Sequence, residues 1–84
     1  MDKYCVYKDV NANVCVGLEV SKSAFFSYID MVNKYYPIRK KDFVLDGSNY
    51  TEYYTYDDDL GCTCEALGYI EHIKEPDWFP EEFI

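Results

Sequence analysis

Three groups of side chains in this chain could do chemistry: carboxylates crowding its second half, the thiols of Cys62-Thr63-Cys64, and one imidazole, His72. A lone histidine needs a nucleophile and an orienting acid brought to it from elsewhere in the fold before it can act as a general base. Between Glu71 and Ile73, His72 reads as a surface or partly packed residue. Phosphate-binding glycine loops, nucleophile elbows, zincin motifs and EF-hand loops do not occur. These residues predict a protein that binds rather than one that turns over substrate.

With Cys5 and Cys15, the Cys62–Cys64 pair could in principle surround a soft metal with four thiolates. Structural zinc ligands usually come in pairs two to four residues apart on tight knuckles, whereas nine residues separate Cys5 from Cys15, which sit in separate strand-like contexts with turn residues Asp9-Val10-Asn11-Ala12-Asn13 between them. The expectation is four reduced, partly buried thiols and no metal or other cofactor, with a small thiolate metal-binding protein as an alternative. Asp57-Asp58-Asp59 makes a poor calcium loop. Consecutive side chains diverge, and the spaced glycine and bidentate glutamate are missing.

The carboxylates are the larger signal. Sixteen Asp and Glu oppose eight Lys and Arg, for a formal charge of -8. The first 41 residues hold four acids and seven bases; the remainder hold twelve acids and a single base, Lys74. That balance is wrong for neutralising phosphates or adsorbing to an acidic membrane, so the sequence predicts no direct nucleic-acid or membrane contact and a basic protein partner. Carboxylates two apart on a strand stand about 6.6 Å apart, and four apart on a helix about 6 Å. A folded acidic patch can thus approximate the phosphate row of a nucleic acid, at about 3.4 Å per charge along each strand. The candidate contact residues are Glu52, Tyr54, Asp57, Asp58, Asp59, Glu65, Glu71, Glu75, Asp77, Trp78, Glu81 and Glu82. Interleaved Tyr50, Tyr53 and Tyr56 would pack on arginine stems.

These residues need a scaffold, and 84 residues allow one domain. At 49% hydrophobic and 19% aromatic, the chain has the apolar surface to fold. Tyr4, Val6 and Tyr7 predict one strand, and Val14, Val16, Leu18 and Val20 recur with period two as a second, its apolar face in the core. After Ser21 or Ser23 as N-cap the period becomes helical, with Phe25, Tyr28, Ile29, Val32 and Tyr36 in one stripe ended by Pro37. Phe43-Val44-Leu45 and Tyr50–Tyr56 predict a second hairpin around a four-residue turn, Asp46-Gly47-Ser48-Asn49. In Tyr50–Tyr56 neither face is wholly apolar, so one face is solvated or covered by a partner.

From Leu60 to Lys74, Leu60, Cys64, Leu67, Ile70 and Ile73 recur at roughly helical intervals behind the aspartate run, giving a possible second short helix. Gly61 and Gly68 weaken that helix, and a strand from Cys62 to Ile73 is the alternative. Pro76 and Pro80 make the last residues extended, with Trp78, Phe79 and Phe83 available to dock. The whole is read as an α+β fold, one compact acidic domain over residues 1–84, two β-hairpins in an antiparallel sheet packed by one long helix.

A polar, mixed N-terminus and no apolar run of membrane-spanning length predict a cytoplasmic protein, monomeric or dimeric. In size, acidity and lack of motifs the chain resembles small phage-encoded inhibitors, anti-CRISPR proteins and other nucleic-acid mimics among them. That resemblance covers no motif and carries over no residue. It implies an inhibitor filling a basic nucleic-acid-binding groove in a nuclease complex of the bacterial host, the alternative being a scaffold module that docks through its C-terminal tail.

Overall fold

Alternation of outward polar and inward apolar residues pairs β1 (Asp2–Asn11) with β2 (Val14–Val20), Tyr4 opposite Val20 and Asp9 opposite Cys15. A computed structural model of the chain describes residues 1–11 and 14–74. Ser21 ends β2 and caps α1 (Lys22–Asn33), its hydroxyl accepting the Ala24 N–H at 3.1 Å. At the other end, the Tyr35 and Tyr36 N–H groups both donate to the Val32 carbonyl at 3.0 Å, and Pro37 follows. Strands β3 (Ile38–Leu45) and β4 (Ser48–Asp57) meet at Asp46 and Gly47, whose φ values of 51° and 79° are the left-handed pair an Asp-Gly turn supplies. The turn is therefore two residues long, because Ser48 and Asn49 pair with Leu45 and Val44.

The possible second helix is a strand, β5 (Cys62–His72). Asp57 Oδ1 accepts the N–H groups of Asp59 and Leu60 at 2.9 and 3.0 Å, and the Gly61 N–H closes on the Asp57 carbonyl at 2.7 Å. The aspartates thus build a tight reversal instead of capping a helix, with Gly61 at φ 69°. Against β4, Tyr53 pairs with Gly68 and Tyr54 with Ala66, then Thr55 with Glu65 and Tyr56 with Thr63. Leu67 and Cys64 are thus extra residues, two bulges that re-phase the strand. They produce the three-residue spacing of Cys64, Leu67 and Ile70 that reads as helical.

The result is a small α+β fold: an antiparallel five-stranded sheet in the order β2-β1-β5-β4-β3 and, among the described residues, one helix. The helix covers one face of the sheet. Phe25 and Ile29 bury against Leu67 and Ile70, with Tyr4, Val6, Val20 and Tyr53 packed around them. Gly68 sits at the centre. A Cβ there would collide with the Cys5 carbonyl oxygen and lie 3.1 Å from the Phe25 ring.

Three core expectations need correction. Val16 and Leu18 point to the helix side but are 38% and 43% exposed, because the core centres on β1, β5 and β4 and leaves the outer part of β2 bare. Tyr36, 63% exposed, falls beyond the helix end and leaves the apolar stripe. The third residue of the β2 set, Val14, has a side chain outside what is described. No helix among the described residues is long and apolar enough to cross a membrane.

Candidate protein-binding surface

With α1 on one face, alternation leaves Cys5 and Tyr7 of β1, Tyr69 and Glu71 of β5, Tyr50, Glu52 and Tyr54 of β4, and Arg39, Lys41 and Phe43 of β3 on the other. Four rings cross this open face as a row. Tyr7 and Tyr69 lie 5.6 Å apart, Tyr69 and Tyr50 5.7 Å, and Tyr50 stacks on Phe43 at 5.1 Å with 13° between planes. All four are half-buried against one another rather than beneath a covering element.

Two local devices hold the row. The Tyr69 ring reaches from β5 over buried Cys5 to Gly17 of β2, where a Cβ would come 2.9 Å from the ring edge and hydroxyl. Only a residue without a side chain leaves that seat. The hydrogen bond to Cys5, with burial next, pushes the Tyr69 phenol up to about 12. Tyr7 donates its hydroxyl to Glu52 Oε2 at 2.9 Å, and burial together with that carboxylate holds its phenol well above the ordinary value. Both phenols stay neutral at neutral pH, and Tyr7 remains a donor.

Among the described residues the acids do not share one face. Glu52, Tyr54 and Glu71 lie on the open side; Asp57, Asp58 and Asp59 form the β4–β5 turn; Glu65, opposite Thr55, lies on the helix side. Glu75, Asp77, Trp78, Glu81 and Glu82 lie outside the described residues, as does the whole tail-docking alternative. Bases also interleave with the open-face acids. Glu71 stands opposite Lys3 and Glu52 opposite Lys41, while Arg39 bonds Asp58 at 2.6 Å and stacks its guanidinium 3.8 Å above the Tyr56 ring. The surface is an aromatic strip edged by carboxylates, not a continuous acidic field. Tyr53, expected as an anchor, instead faces the helix and packs edge-on against Phe25 at 5.4 Å.

Sequence reading missed Tyr7, Tyr69 and Phe43. Period two in β1 and β3 could have placed Tyr7 and Phe43 on one face each. Tyr69 was hidden by the helical spacing of its segment, and no local signal tells that β5 lies beside β1.

His72 sits in a relay that has the residue types of a nucleophilic triad. Its Nδ1 is 3.3 Å from Asp2 Oδ1 and its Nε2 2.9 Å from the Thr51 hydroxyl. The Thr51 hydroxyl, however, donates to Asp42 Oδ1 at 2.7 Å, so its proton points away from the imidazole. Thr51 is also buried in mid-strand. The relay ties β1, β5, β4 and β3 together at one end of the sheet and has no activated nucleophile. The thiols are dispersed as well: Cys5 is buried under Tyr69, Cys15 lies on β2, and Cys62 and Cys64 lie at the far end of β5; all four are free. Partial desolvation, with Asp57 and Cys62 nearby, raises the Cys64 thiol, which disfavours the thiolate a metal needs. Among the described residues no group of three or more His, Cys, Asp or Glu is placed to hold a metal ion.

No protein-family model matches the chain, and comparison with curated proteins and with solved structures returns no significant match. Its function is therefore read from the surface itself.

Proposed function

We propose that this chain is a non-catalytic binding protein that docks its open sheet face on a basic protein surface, as an inhibitor filling a nucleic-acid-binding groove does. One observation supports this reading: the row Tyr7, Tyr69, Tyr50 and Phe43 lies on the face that α1 leaves uncovered, with Glu52 and Glu71 within it. Rigid aromatic rings bordered by carboxylates suit arginine, whose planar guanidinium stacks on a ring while a carboxylate accepts its N–H groups. The chain makes that arrangement internally, where Arg39 lies between Tyr56 and Asp58. In this division of labour the net charge of -8 speeds encounter and the rings slow release.

The test is capture of a partner from a bacterial lysate by the immobilised chain, beside a Tyr50→Ser, Glu52→Lys double variant. The expected result is a basic nucleic-acid-binding protein retained by the parent chain, lost by the variant and displaced by added duplex DNA. Equal retention by both proteins would remove the open face from the account. Retention that DNA does not displace would leave a binding module and exclude the groove.

A further inference from the structure

On the helix side, away from the aromatic row, a cleft of about 390 Å³ opens between the C-terminal half of α1 and the far end of β4 and β5. Its lining brings together the phenols of Tyr28 and Tyr36, the carboxylate residues Asp57 and Glu65, and apolar Leu67 and Val32, with Tyr56, whose ring is stacked on Arg39, at its margin. No lysine, arginine or histidine lines it. We infer that this cleft is a receptor for a guanidinium group, and that its occupant is an arginine side chain of a protein segment.

The charge inventory favours a cation. Among the described residues no basic group lies within ion-pair distance of the Glu65 or Asp57 carboxylate, although Arg39, one strand away, is engaged with Asp58. Both turn bonds to Asp57 fall on Oδ1, which leaves Oδ2 to a ligand. Glu65 stands near enough to Tyr28 to push that phenol upward, after burial as the main cause, so the ring and the carboxylate address one volume.

Ring faces attract cations through their quadrupole, and carboxylates at the rim accept N–H donors. A guanidinium satisfies both at once because it is flat and its donors lie at its edge; an ammonium, a hydrated point charge, uses the rings less well. The volume, room for about a dozen waters, admits a long side chain and part of its backbone. Tyr56 already holds one guanidinium at 3.8 Å, so ring chemistry of this kind is in use at the cleft's margin.

The cleft lining and the aromatic row share no residue, so the two readings can fail separately. The test is amide NMR titration of the full chain with a blocked tripeptide carrying a central arginine, beside the same peptide with citrulline, which keeps the shape and lacks the charge, and beside free arginine. Shifts at Tyr28, Glu65, Leu67 and their neighbours are expected for the arginine peptide, with at least tenfold weaker binding at those residues for citrulline. Glu65→Gln and Tyr36→Ala, both at exposed positions outside the core, should each weaken binding about three- to tenfold. Asp30→Asn, exposed on α1 and outside the cleft lining, should leave it unchanged, and dispersed spectra of the variants confirm that they fold. Equal binding of citrulline, insensitivity to Glu65→Gln, binding of free arginine alone, or no shift at up to 20 mM peptide would each overturn the proposal.

Discussion

The phenols of Tyr7 and Tyr69 tie the candidate surface to the fold through single protons. Tyr7 donates to Glu52, Tyr69 lies against buried Cys5, and each phenol is raised by its setting. A raised acid is stabilised in its neutral form, so its contribution to folding is complete below the unfolded value of about 10. It is lost as pH climbs toward the folded value, about 12 for Tyr69. Urea unfolding should accordingly show a midpoint that falls between about pH 10 and pH 12. The Tyr7→Phe, Tyr69→Phe double variant should flatten that decline. An unchanged slope would mean that neither proton is held as described.

The strand β5 carries the element-scale lesson, because one residue without a side chain decides how closely it approaches β1 and α1. Gly68→Ala places a methyl group against the Cys5 carbonyl and the Phe25 ring, and backbone cannot yield as a flexible side chain does. The expected cost is about 3 kcal/mol, read as a lowered urea midpoint with unchanged slope. A loss under about 0.5 kcal/mol would show that β1 and β5 are not in that register. The same strand shows where sequence stops speaking. Ser21, the stripe at Phe25 and Ile29, and Asp46-Gly47 are local signals, and the chain around them folds as they suggest. Two bulges gave β5 a helix-like spacing, and nothing local announces a bulge. The site was legible to the same extent: Tyr50, Glu52 and Tyr54 follow from period two in β4. Tyr69 joins them by standing opposite Glu52 in the β4–β5 pairing, and Tyr7 only through β1–β5 pairing between residues more than sixty positions apart, such as Cys5 with Tyr69.

At the scale of the molecule, the sheet separates two chemistries: a helix-covered side with the core and the carboxylate-lined cleft, and an open side with the aromatic row. The lopsided charge of the sequence does not become a single charged side among the described residues, because Lys3, Lys41 and Arg39 stand beside Glu71, Glu52 and Asp58. Recognition therefore falls to rings that carboxylates orient, and charge acts mainly on encounter. The most direct test is hydroxyl-radical footprinting of the chain, free and bound to its captured partner. Tyr50, Tyr54 and Tyr69 should lose reactivity in the complex, while Tyr35, 76% exposed just beyond α1, keeps its own. Protection of Tyr35 with the open-face rings left reactive would contradict the account.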